Sequence, residues 1–251
     1  MTGATSRVAL VTGASRGIGA ESARLLAARG MRVVVNYNQS GQAAEEVVAG
    51  IEAAGGQAMA MQADVRDTAA VQAMVDRVAA AWDGIDVLVH NALIPYAIKP
   101  FQDMTWEELG GKVHEEMRAA FLLTKAVLPW MTGQGWGRLI YLSAVLSRQP
   151  RPGFITLGTS KAALVQFARF LAQELGPQGV TVNVVEPGPV TDTGISHVLE
   201  GERARQQVAA TPVGRLANPA DVAQVVAFYA SEDSVFMTGT TAAVNGGMSM
   251  Y

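Results

Sequence analysis

Val8-Ala-Leu-Val-Thr-Gly-Ala-Ser-Arg-Gly-Ile-Gly-Ala20 decides how this chain is read. An apolar run, Val8 to Val11, ends at Thr12. Glycines follow at 13, 17 and 19, and an Ala-rich helical pattern then runs from about residue 18 to 29 and stops at Gly30. This predicts a strand, a glycine turn and a helix. Glycine lets the backbone turn tightly and lets a ligand approach where a Cβ would stand in the way. The first N–H groups of the helix, with the positive end of its dipole behind them, face whatever occupies the turn. Such a turn is a phosphate cradle, most often for a dinucleotide. The spacing is G-x-x-x-G-x-G rather than G-x-G-x-x-G. The competing reading is a glycine-rich strand-to-helix turn without a ligand.

Outward from the turn, strands and helices alternate. Residues 31–36, 57–62 and 85–90 read as strands; 42–54 and 69–82 read as helices, the second capped by Asp67 or Thr68. Thr105-Trp-Glu-Glu108 is a capping box opening a helix that reaches residue 131, with a bend expected at Gly110-Gly111. Strands follow at 137–143, 180–185 and 240–245, with a long apolar helix at 157–175. Asn218-Pro219 caps a further helix to residue 230. Residues 189–212 are less regular, carry one polar helix near 200–209, and are expected to form a substrate lid. This rhythm predicts an α/β, single-domain Rossmann-type fold over residues 1–251, a seven-stranded parallel sheet with helices on both faces.

Composition narrows the function. The chain has 251 residues, of which 49% are hydrophobic and 16% charged, enough apolar material to bury a sheet on both sides. A net charge of −3 without basic blocks argues against nucleic acid. With no cysteine, disulfides, thiolate metal sites and a Cys nucleophile are excluded. His90, His114 and His197 lack metal-ligand spacing, so no metal is expected. No signal peptide and no membrane-length apolar run are read, and a soluble cytoplasmic protein is expected.

These pieces together resemble the short-chain dehydrogenase/reductase family, most closely its 3-oxoacyl-acyl-carrier-protein reductase type. The resemblance rests on Thr12-Gly13-Ala-Ser15-Arg16-Gly17-Ile18-Gly19, Asp64-Val65, Asn91-Ala92, Ser143, Ser160-Lys161-Ala-Ala, Val182-Asn183 to Pro187-Gly188, and Asn245-Gly246-Gly247. It implies a nicotinamide dinucleotide held by Gly13 to Gly19, Asp64, Val65, Asn91, Ala92, Lys161, Pro187, Gly188, Val190 and Thr191. It also implies a homotetramer or dimer built on the two long helices and the last strand. NAD-type sites place an Asp or Glu at the end of the second strand for the ribose 2′-hydroxyl. Here that position is about Asn36, followed by Tyr37 and Asn38, with no carboxylate to repel a 2′-phosphate and with Arg16 able to pair with it. NADP(H) is therefore the expected cofactor.

The proton-handling groups depart from the family. Its reduction chemistry uses a Ser that holds the substrate carbonyl, a Tyr that moves the proton, a Lys one helical turn later, and an Asn that anchors a relay water. Ser143 and Lys161 are present, but Leu157 stands four residues before Lys161 where the Tyr belongs. The Asn position falls near Glu116; Leu93 follows Asn91-Ala92 in place of a glycine; His90 precedes them where an Asn is common; Asp192 stands where a Thr is usual. Two substitute acids are candidates beside Ser143 and Lys161. Tyr96 lies in the loop after the fourth strand, and Glu116 would act as an acid if burial raised its pKa. Tyr141 is expected in the core, and His114 and His197 at the surface.

Three functions remain open at this point. The first is an NADP(H)-dependent carbonyl reductase of ketone, 3-oxoacyl or polyketide-like substrates with a rearranged proton path. The second is a non-redox isomerase, dehydratase or cyclase of secondary metabolism on the same scaffold. The third is a catalytically silent partner subunit.

Overall fold

The seven apolar segments pair in parallel, in the order β3-β2-β1-β4-β5-β6-β7, in the computed structural model, which describes residues 6–193 and 201–250. β1 (Val8–Val11) lies between β2 (Arg32–Tyr37) and β4 (Val87–His90); β3 (Gln57–Gln62) forms one edge. β5 (Gly137–Leu142), β6 (Val180–Pro187) and β7 (Thr241–Val244) continue to the other edge. The strand order reverses between β1 and β4, and in open α/β sheets ligands bind at such a switch point, beyond the carboxyl ends of the strands.

Both sheet faces are covered. On one, α3 (Thr68–Trp82), α4 (Trp106–Gly133) and α5 (Ile155–Leu175) bury Val75, Leu123 and Leu164 against Leu10, Leu88 and Leu139. On the other, α1 (Gly17–Ala28), α2 (Gly41–Ala53) and α7 (Pro219–Tyr229) bury Leu26, Val47 and Val226 against Val11, Val35 and Ile140. Alternate residues of each central strand thus feed opposite cores, which is why successive residues such as Val33, Val34 and Val35 are all apolar.

The expected caps are present. Asp67 accepts from the Ala70 N–H, and Thr105 with Glu108 forms the capping box of α4. α4 runs as one helix through Gly110-Gly111, and the first of these glycines makes room for the Trp106 indole, which would meet a Cβ there at 3.2 Å. β2 extends one residue further than expected, to Tyr37. Of the expected lid, residues 194–200, including His197, lie outside the described residues; Val190 bridges Ala217, and α6 (Gly201–Ala209) follows. No helix among the described residues is long and apolar enough to cross a membrane.

Candidate active site

The glycine turn is built so that nothing but glycine fits. A Cβ on Gly13, which has φ +61°, would lie 2.8 Å from Ala92 Cα, and one on Gly19 would lie 2.5 Å from the Gly13 carbonyl oxygen and 2.6 Å from Asn91 Nδ2. Gly17 has φ +55° and sits under the Asp192–Thr193 backbone. Asn91 Nδ2 donates to the carbonyls of Thr12 (2.9 Å) and Gly13 (3.1 Å), and Thr12 Oγ1 accepts from the N–H groups of Asn91 and Ala92. The turn is thus fastened to the end of β4. The N-terminus of α1 has no side-chain cap and no acidic residue in its first turn, so its N–H groups are left for an anion. These observations fit the diphosphate of a dinucleotide.

Asn36 does not face that ligand. It is buried, its Nδ2 donating to the carbonyls of Ala63 (3.1 Å) and Met61 (3.3 Å) and its Oδ1 accepting from Gly13 N–H. Its expected place at the cofactor's 2′-position is corrected: the Asn36 side chain is buried against the end of β3 and braces the turn. The carboxylate-free rim is Tyr37, Asn38 and Ser40. Arg16 reaches across the turn to it, its Nη2 donating to Ser40 Oγ at 2.6 Å. Asp64 is engaged by Arg66 (Nη2–Oδ2 2.7 Å), and the hydrogen bonds from Arg66 hold its carboxyl below the usual range. Ser15, Ile18 and Val65 lie within the same turn and strand end. Gly188 packs within 3.0 Å of Asn245 Cβ were it to carry a Cβ, and Thr191 N–H donates to Ala217. Asp192, with φ +53°, is oriented by Thr191 Oγ1 at 2.9 Å.

Beyond the cradle, Ser143 ends β5, nearly buried, and its Oγ donates to the Lys161 carbonyl at 3.4 Å. Leu157 is buried on α5 one turn before Lys161. Lys161 Nζ donates to the Leu142 carbonyl (2.8 Å) and to Glu116 Oε1 (2.6 Å). Glu116 Oε2 in turn accepts from Lys112 Nζ at 2.5 Å, and Lys112 also donates to the Ile94 carbonyl at 2.8 Å. The side chains of all three are at most 6% exposed.

This cluster corrects the expectation of Glu116 as an acid of raised pKa. Burial alone pushes its carboxyl up, but Lys161 and Lys112 together outweigh burial and bring it down to about 2. Glu116 is a carboxylate. Burial, aided by the like charge of Lys161, lowers the Lys112 ammonium from its ordinary range. His90, at the end of β4, is fully buried, and neither ring nitrogen has a hydrogen-bond partner among the described residues. Burial, and then the two lysines against the pull of Glu116, bring it down to about 4, so it is neutral. Tyr96 is half-buried, its ring 5.8 Å from Lys112 Nζ, and burial raises its phenol. Tyr141 is in the core, bonded to Thr124 at 2.6 Å, and His114 is at the surface, as expected. Sequence reasoning missed Lys112. The signal was available: Lys112 and Glu116 are four residues apart and share one helix face.

Comparison with known proteins agrees with this geometry. A family model described as Enoyl-(Acyl carrier protein) reductase matches residues 13–249. A 3-oxoacyl-[acyl-carrier-protein] reductase of Synechocystis is 40% identical over 252 residues, covering 100% of both chains, and the Escherichia coli enzyme of that name is 33% identical over 97% of this chain and 98% of its own. Among solved structures, a dehydrogenase/reductase from Sinorhizobium meliloti superposes with a TM-score of 0.89 at 33% identity, covering 98% of this chain and 96% of that one. A putative NAD(P)-dependent gluconate 5-dehydrogenase from Beutenbergia cavernae, with bound NADP at low occupancy, does so with a TM-score of 0.89 at 32% identity over 96% of each chain.

Proposed function

Because the chain belongs to the short-chain dehydrogenase/reductase family, we propose that it is an NADP(H)-dependent reductase of a ketone or 3-oxoacyl substrate whose proton comes from a lysine cluster instead of a tyrosine. The observation that carries this reading is the joint retention of the glycine cradle, Ser143 and buried Lys161 around a site in which Leu157 removes the phenol. The preference for the 2′-phosphate is supported by Arg16, poised over the carboxylate-free rim at Ser40.

The bound nicotinamide supplies hydride chemistry. Ser143 Oγ donates to the substrate carbonyl oxygen when it turns from the Lys161 carbonyl. Lys161 Nζ spends two of its three N–H bonds on Leu142 and Glu116. The third is the proton that serves the same oxygen. Leu157 and Leu93 make the cleft apolar, which suits an acyl or other hydrophobic small molecule. Tyr96, over Lys112, is a secondary donor at the cleft rim. Exposed Phe121 on α4 and Phe170 on α5 support a homotetramer or dimer.

The test is NADPH oxidation with a panel of 3-ketoacyl thioesters and polyketide-like ketones, with NADH in parallel. Turnover favouring NADPH is expected; tight NADPH binding without consumption by any of them overturns the reading. A non-redox activity is the second reading, favoured by the aliphatic Leu157 itself. Product formation without change in NADPH absorbance would select it.

A further inference from the structure

Formal charges in the site frame the inference. Glu116 carries −1 and contacts Lys161, so a lone Glu116–Lys161 pair would leave the buried site neutral. Lys112 adds a second cation to the other carboxylate oxygen. The cluster then holds one net positive charge while every charged group in it is partnered. Splitting the carboxylate between two ammonium groups also weakens its grip on each, since each lysine engages a single oxygen.

We infer that Lys112 is a positioning residue for this site: by engaging one oxygen of Glu116 it keeps the Lys161 ammonium from being neutralised and immobilised in an exclusive ion pair, so that Lys161 stays available to the nicotinamide ribose and the substrate oxygen. The inference rests on the reductase reading for the substrate oxygen, but its cofactor-binding consequence holds with or without turnover. Three features support it beyond charge. Lys112 is the only cation besides Lys161 within ion-pair distance of Glu116 among the described residues. It is anchored independently at Ile94 O, in the loop that leaves β4 directly after Asn91-Ala92. Buried His90, which feels the charges of all three groups, has no hydrogen-bond partner among the described residues and contributes no compensating charge.

Full-length Lys112→Met, Lys112→Arg, Glu116→Gln and Lys112→Met/Glu116→Gln proteins decide the matter, each titrated with NADPH by fluorescence and checked cofactor-free by thermal unfolding. Lys112→Met is expected to weaken NADPH binding about tenfold, because Glu116 then holds Lys161 alone; Lys112→Arg, which keeps the charge, should stay within about threefold of wild type. The double variant frees Lys161 again and is expected to recover to within about threefold of wild type. A double variant that binds as weakly as Lys112→Met, or a Lys112→Met protein that binds as wild type does, overturns the inference. A wild-type protein that binds NADPH but never oxidises it marks failure of the reductase reading, and the binding cycle still decides the role of Lys112. Should Lys112→Met fail to fold, Lys112→Gln takes its place in the same cycle: binding about tenfold weaker that the Lys112→Gln/Glu116→Gln protein recovers supports the inference, and binding unchanged from wild type overturns it.

Discussion

Glu116 Oε1 and Lys161 Nζ stand 2.6 Å apart, with both side chains almost fully buried. In this contact a carboxylate from α4 meets a lysine of α5. Removing the charge of one partner strands the other in a low dielectric, which typically costs about 3–5 kcal/mol. Glu116→Gln leaves Lys112 and Lys161 facing each other without a counter-ion. A loss of stability of that order is expected by chemical denaturation at neutral pH. Unchanged stability would mean that the buried contact makes no net contribution to the fold.

Leu157 fills the place of the missing phenol. A well-positioned general acid typically contributes about 10²–10⁴-fold in rate. Leu157→Tyr restores a hydroxyl one turn before Lys161 and is expected to raise kcat with 3-ketoacyl thioesters by at least about tenfold. NADPH oxidation measures it; a fall in rate would show that the lysine cluster and a tyrosine are incompatible.

Arg16 is the cation at the rim of the cradle. A charged hydrogen bond contributes about 1.5–3 kcal/mol, so Arg16→Ala is expected to weaken NADPH binding by roughly 10–100-fold while leaving NADH affinity within about threefold. Equal losses for both dinucleotides would remove Arg16 from the 2′-phosphate.

The architecture was legible because strands buried on both faces hold runs of successive apolar residues, as in Val33 to Val35, and because glycines close many of the turns. The site was legible only where chemistry is local. Gly13 to Gly19 announce a cradle in consecutive residues, whereas the state of Glu116 depends on Lys161, 45 positions away. The pKa of a buried carboxyl takes its sign from its partners, and sequence shows burial and partners poorly. Lys112 escaped notice because lysine is rarely fully buried, so an i, i+4 Lys–Glu pair reads as an exposed helix face. The inward place of Asn36 depends on partners at Gly13, Met61 and Ala63, which no local pattern reveals.

His90 makes the protein acid-sensitive. Its folded pKa, about 4, lies below that of the unfolded chain, about 6.5, because the site excludes the charged form. Between these values the unfolded state takes up the proton and the folded state does not, so stability falls as pH drops from about 6.5 towards 4, by roughly 3 kcal/mol in all. The opposite case, Glu116, gives stability above the usual Glu value that is lost only as pH falls towards about 2. Urea denaturation across that range should show the decline, and His90→Phe should flatten its upper part. A slope unchanged in the variant would assign it to other groups.

Asn36 joins Gly13 to the carbonyls at the end of β3 from within the sheet, while Asn38 stands outside it, bonded to Asp64 at a loose 3.5 Å. Positions two residues apart at one strand end therefore carry separate structural duties. A substitution at residue 38 leaves the brace of the glycine turn in place, whereas one at residue 36 removes it.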